Sequence, residues 1–215
     1  MVMKRTLSEI IMLAAIAPRH EPSVELNDGT VLLVRRPTDE EIENIHSLTQ
    51  SEIAASSTPL PIIKGVHKHN KDSFWGVYQA SDASPEAKRK ARFIGYYAML
   101  HLNQAGLDAL ERDEFDASDP PHSLLAASGE RPAAIYVWAV VARRVARIAT
   151  PLIARALGKQ TYGGLPIYTT AGTLGGLHAI KGYGFLGARQ AEGGLGHLFR
   201  LDPPAPVPRR TTEAA

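Results

Sequence analysis

The sequence predicts an α/β fold, in which a mixed and mostly antiparallel sheet is flanked by helices and carries one parallel strand pair near its centre. Three observations predict it. Short β-branched and aromatic runs alternate with turn residues, the C-terminal half contains a strand, helix, strand unit, and 44% of the 215 residues are apolar, enough to bury a sizeable core.

The elements follow in order. Thr6 to Ala17 has the spacing of an amphipathic helix, and residues 1–20 are assigned to it; Ser8 and Glu9 interrupt the apolar patch that would otherwise suggest a secretion signal. From Ser23 to Arg36, two strand-like runs flank Asn27-Asp28-Gly29, a hairpin signal. Thr38 and Glu41 form a T-x-x-E capping box, and Ile42, Ile45, Leu48 and Ile53 continue a helix to residue 54. SSTPLPIIKGVHKHNKD reads as a loop or short irregular helix. Phe74–Ala80 and Ala91–Leu102 read as strands that pair antiparallel across a polar turn containing Pro85. Residues 103–131, rich in acids, are an insertion with one short helix.

Pro132–Ala142 is apolar on both faces, the pattern of an interior strand. A helix follows with Ile148, Leu152, Ile153, Ala156 and Leu157 on one face, Pro151 in its first turn and Gly158 at its end. Leu165–Ala171 reads as a strand, and the crossover makes it parallel to its predecessor. Thr173 caps a short helix that runs to Lys181, with Gly182 beyond it. GFLGARQ and GHLFRLD close the sheet, joined by AEGGLG, and residues 203–215 read as a disordered tail. A single domain over 21–202 is expected.

Composition removes several classes of function. The chain has no cysteine, which excludes disulfides, a thiol nucleophile and cysteine-held metal, and is compatible with a reducing, cytoplasmic setting. No apolar run approaches the roughly 20 residues of a membrane span. Gly182 to Gly187 satisfies G-x-G-x-x-G, but it leaves a helix and enters a strand, the reverse of a dinucleotide-binding turn. His67-Lys68-His69 lacks the further ligands of a metal site, so no metal is expected. No phosphate-binding P-loop, zinc-protease helix or serine nucleophile elbow is present.

Charge is the most pointed signal. Residues 1–130 hold 13 basic and 19 acidic side chains, whereas Arg131 to Ala191 holds eight basic residues and no carboxylate. Arg143, Arg144 and Arg147 stand between the interior strand and the next helix, at the end where unpaired N–H groups and the helix dipole already carry positive charge. Cations there suit an arriving anion, and a strand-to-helix turn of this kind is a phosphate site.

With these elements in place the chain resembles the GNAT superfamily of acyl-CoA-dependent N-acetyltransferases over roughly Val31 to Leu201. The family's pyrophosphate turn, Q/R-x-x-G-x-G/A, aligns with Arg144-Val145-Ala146-Arg147-Ile148-Ala149; Arg144 and Ala149 fit, and Arg147 replaces a glycine. The resemblance implies acetyl-CoA as co-substrate, bound by Val140, Val141, Ala142, Arg143, Arg144, Ala146, Arg147, Ile148 and Ala149, and an amine acceptor. A "GF" pair is matched by Gly184-Phe185, but the position of the family's tyrosine is Ile180, which leaves His178 and Tyr183 as candidate acids for the departing thiolate. His101, Glu111, Asp113, Glu114 and Asp116 are candidate bases, and the acidic insertion also reads as an attractor of a cationic acceptor. Two other readings stay open: a GNAT-fold binding or regulatory protein without turnover, and, more weakly, a nucleic-acid binder. A homodimer stays open as well, and no membrane partner is expected.

Overall fold

The computed structural model describes residues 22–52, 58–142, 144–158, 163–188 and 196–203. The expected N-terminal helix, the tail beyond residue 203, Arg143 and the glycine-rich connection up to Leu195 lie outside the described residues.

Among the described residues an eight-stranded sheet forms the centre, in the order β1 (Ser23–Glu25), β2 (Val31–Arg35), β3 (Phe74–Ala80), β4 (Arg92–Leu102), β5 (Ala134–Val141), β6 (Ile167–Thr170), β8 (Leu198–Leu201), β7 (Leu186–Gly187). The hairpin is present as β1 (Ser23–Glu25) and β2 (Val31–Arg35), with the Thr30 N–H donating to the Asp28 carboxylate at 3.0 Å in the turn. The capping box holds: the Glu41 N–H donates to Thr38 Oγ1 at 3.3 Å and the Thr38 N–H to Glu41 Oε2 at 2.8 Å, opening α1 (Glu41–Glu52). The stretch read as a loop or short irregular helix is largely a regular helix, α2 (Leu60–His69). Pro61 sits in its first turn, where the missing N–H costs nothing, and Gly65 lets the helix lie close to the His122 ring, which is 3.3 Å from where a Cβ would be.

β3 (Phe74–Ala80) and β4 (Arg92–Leu102) pair antiparallel as expected, and the polar turn between them winds into α3 (Pro85–Arg89), capped by Ser84. The insertion supplies α4 (Gln104–Glu111), capped by Asn103, and a 3-10 turn at His122–Leu124. β5 (Ala134–Val141) lies between β4 and β6 (Ile167–Thr170), and β5–β6 is the sheet's parallel pair. The crossover helix α5 starts two residues before Ile148, at Ala146, and runs to Leu157. Pro151 therefore sits inside the helix and not in its first turn. α6 (Leu174–Gly182), capped by Thr173, includes Gly182, and the left-handed glycine that ends it is Gly184 at φ 88°. β7 (Leu186–Gly187) and β8 (Leu198–Leu201) complete the edge.

Apolar residues divide by sheet face. Tyr96, Leu100 and Tyr136 pack with Ile42 and Ile45 of α1, Ile63 of α2 and Leu110 of α4. On the opposite face Tyr97, Met99 and Ile135 pack with Ala149, Leu152 and Ile153 of α5. One irregularity changes the bookkeeping of faces within β5: Trp138 is an extra residue between the rungs Met99–Val137 and Ala98–Ala139. Such a bulge shifts the alternation by one residue. Ala134 and Tyr136 share their face with Val141, and Ile135 shares its face with Ala142.

His101, 1% exposed in β4 opposite Ile135, is a core residue and not a base at a substrate surface. Burial lowers its pKa from the usual 6.5 to about 4. The unfolded chain binds this proton first, so stability is full above pH 6.5 and falls as pH drops toward 4, by about 3 kcal/mol from this group. His67, 3% exposed, is lowered by burial too and adds to the slope. Urea midpoints at pH 7 and pH 4.5 should show the loss, and His101→Leu should flatten it; an unaltered slope in that variant would assign the acid sensitivity to other groups.

Candidate active site

The site begins where the parallel pair ends. β5 and β6 share only the rungs Ile135–Ile167, Tyr136–Tyr168 and Val137–Thr169, the last reinforced by the Thr169 hydroxyl donating to the Val137 carbonyl at 3.1 Å. β6 stops at Thr170, whereas β5 runs on to Val141 beside β4. A gap opens at the C-terminal ends of two parallel strands, the place where open α/β sheets receive ligands.

β5 leads through a turn into α5, on the face that α5 covers. Arg144 in that turn has φ 65°, a left-handed backbone that costs an L-residue about 1 kcal/mol. Strain of that kind collects where a ligand is held. Val145 precedes α5 and no side chain caps the helix. Arg144 and Arg147 are both exposed there. Arg147 lies within the first turn of α5, and its φ is not among the positive values, so the position does not require glycine for its backbone. Val140 (44% exposed) and Ile148 (37%) add two accessible apolar side chains, while Val141, Ala142 and Ala149 are buried and can offer a ligand only backbone.

Of the two candidate acids, the fold brings one to α5. The Tyr183 hydroxyl, at the end of α6, lies 3.4 Å from Thr150 Oγ1. Thr150 also bonds the Tyr97 hydroxyl at 2.8 Å, and donates to the Ala146 carbonyl at 2.8 Å. Burial of Tyr97 beneath α5 raises its pKa, so it stays protonated and supplies a hydrogen bond. Three hydroxyls thus run from β4 through the first turns of α5 to α6. Ile180, at the family's tyrosine position, packs with Phe185 and Phe199. His178 is exposed on α6. Tyr97 and Thr150 escape sequence reading because 53 residues separate them.

The second opening lies on the other face. A cavity of about 260 Å³ is lined by Leu110, Asp113, Phe115, Tyr136, His197 and Leu198 among others, beside Thr170 at the end of β6. The Tyr136 hydroxyl bonds Thr170 Oγ1 at 3.0 Å. Of the candidate bases, Asp113 lines this cavity and Glu111 accepts the Tyr168 hydroxyl at 2.7 Å, while Glu114 is paired with Arg112 at 2.9 Å and Asp116 accepts from Ser118. Among the described residues no cluster of metal-ligating side chains is present, and no helix is long and apolar enough to cross a membrane.

Among the described residues a single parallel pair stands in an otherwise antiparallel sheet, and its first strand leads into a strand-to-helix turn. The chain has the element order that the resemblance to the GNAT superfamily led us to expect. No protein-family model and no curated protein matches the chain. Similar solved structures include Ard1 from Thermoplasma volcanium, with 11% identity, TM-score 0.44, and coverage of 79% of this chain and 94% of that one. An N-acetyltransferase from Staphylococcus aureus Mu50 has 15% identity and TM-score 0.40, covering 78% and 97% of the two chains. The histone acetyltransferase HPA2 and related acetyltransferase from Corynebacterium glutamicum ATCC 13032 has 16% identity and TM-score 0.38, covering 81% and 97%.

Proposed function

We propose that this GNAT-fold chain is an N-acyltransferase that moves an acetyl group from acetyl-CoA to an amine. The observation that carries the reading is the junction of β5 and α5: an uncapped helix N-terminus, two exposed arginines and a left-handed Arg144, all at the mouth of the strand gap. These groups fit a pyrophosphate, whose charge would answer the helix dipole and both guanidinium groups. Val140 and Ile148 would flank the pantetheine arm, and backbone of Val141 and Ala142 would hydrogen-bond it. Acetyl-CoA brings an activated thioester carbonyl. The acceptor nitrogen bonds to that carbon, the C–S bond breaks, the amine proton leaves to water or a base, and the sulfur takes a proton from the Tyr183 hydroxyl. Thr150 then turns its hydroxyl toward the phenolate, while the Tyr97 hydroxyl continues to donate to the Ala146 carbonyl, 3.2 Å away.

Two departures from the family pattern, Arg147 in the turn and Ile180 at the tyrosine position, motivate a reading without turnover; two observations favour turnover over it. Arg147 needs no glycine dihedral, and Tyr183 reaches Thr150 from three residues beyond Ile180. Tyr183→Phe should lower kcat about 100-fold while acetyl-CoA affinity stays within about twofold. Thiol release and calorimetry together read this. An unchanged kcat would remove Tyr183 from the chemistry, and a chain that binds acetyl-CoA but acylates no amine would favour the regulatory reading.

A further inference from the structure

The gap between β5 and β6 has a closed end. The strands part after the rung Val137–Thr169, and Thr170 is the last residue of β6. Tyr136 stands one rung earlier, opposite Tyr168, yet its hydroxyl bonds Thr170 Oγ1 at 3.0 Å. Its side chain therefore reaches obliquely from β5 past the last rung and ties the end of β6 at the apex of the gap. The ring lies on the face away from α5 and is buried, 5% exposed. Phe115 backs it from the cavity side, at 6.1 Å between centroids and tilted by 57°. Trp138, the next large ring of β5, leans the other way, toward Phe74 of β3 at 6.1 Å. Tyr136 is thus the ring fixed across the apex, with a hydrogen bond at its tip and an aromatic side chain behind it.

Acyl-CoA anchored by its pyrophosphate at the β5–α5 turn carries its acyl group at the far end of the molecule, so the acyl tail is the part that meets the apex. A packed ring there leaves room for a methyl group and resists further methylenes, because well-filled interiors yield only at a cost. We propose that Tyr136, pinned by Thr170, is the end wall of the acyl slot and restricts the thioester to acetyl. This rests on the transferase reading above and adds to it a determinant of acyl length. The hydroxyl bond sets the position of the wall and the ring supplies its bulk, so the two contributions separate by substitution.

The test is calorimetric titration of acetyl-CoA and butyryl-CoA without any acceptor, which reads binding alone. The parent chain should hold butyryl-CoA at least about tenfold more weakly than acetyl-CoA, the order of discrimination that a closed pocket achieves against added methylenes. Tyr136→Leu, which removes the wall, should bring that ratio near one. Tyr136→Phe and Thr170→Val each delete the same hydrogen bond and keep the ring, so each should lower the ratio about threefold, and the double variant no further. Thr170 is exposed, so Thr170→Val keeps the question open to measurement even if Tyr136→Leu fails to fold. A general loss of packing would weaken both thioesters together and leave the ratio alone. Acetyl-CoA binding with a ratio of one or less in the parent chain, or a ratio that survives Thr170→Val and every folded Tyr136 variant, would overturn the inference and leave the transferase reading standing. Binding of neither thioester to the parent chain would remove both.

Discussion

Alanine at Arg144 or Arg147 should weaken acetyl-CoA binding by about 10- to 100-fold each, since a hydrogen bond to a charged group contributes about 1.5–3 kcal/mol. Both side chains are exposed, so their removal leaves the core intact and melting temperature little changed. The two positions differ in a way that permits a sharper test. Arg144 has φ 65°, and Arg144→Gly should stabilise the folded chain by up to about 1 kcal/mol while still losing affinity. Gain of stability with loss of binding, read by calorimetry and thermal melting on one variant, would mark the strain as held for a ligand. Wild-type affinity in all three variants would take the pyrophosphate away from this turn.

Gly95→Ala should be strongly damaging for a single added methyl. A Cβ on Gly95 of β4 would run into the Val141 carbonyl oxygen and the Ala142 Cα, backbone atoms at the end of β5. Neither can rotate away as a side-chain tip would. Overpacking against backbone costs about 3 kcal/mol, which should appear as a fall in the urea midpoint. The displaced atoms lead directly into the Arg144 turn, so acetyl-CoA affinity should fall even where the protein remains folded. A variant with normal stability and normal binding would show that β4 and β5 part easily here.

Most strands were legible because their alternation and turn residues are local. Phe74–Ala80 matches its expected bounds, and the Thr38–Glu41 box marks α1. The stretch read as a loop or short irregular helix forms the regular α2, in which Pro61 is harmless in the first turn and Gly65 lies against His122. The bulge at Trp138 leaves no trace in a strand that is apolar on both faces. The basic turn was legible from charge alone. The hydroxyl chain and the cavity were not, because Tyr97, Thr150 and Tyr183, like the residues that line the cavity, come together only after the sheet has formed.

Among the described residues the sheet terminates in β1, three residues long, and β7, two residues long. An outermost strand presents unsatisfied backbone groups that can recruit a foreign chain, and the hazard grows with its length. Rims this brief offer little template for fibril growth or strand exchange. Association between copies of this protein would accordingly be expected through helical faces, leaving the gap between β5 and β6 undisturbed.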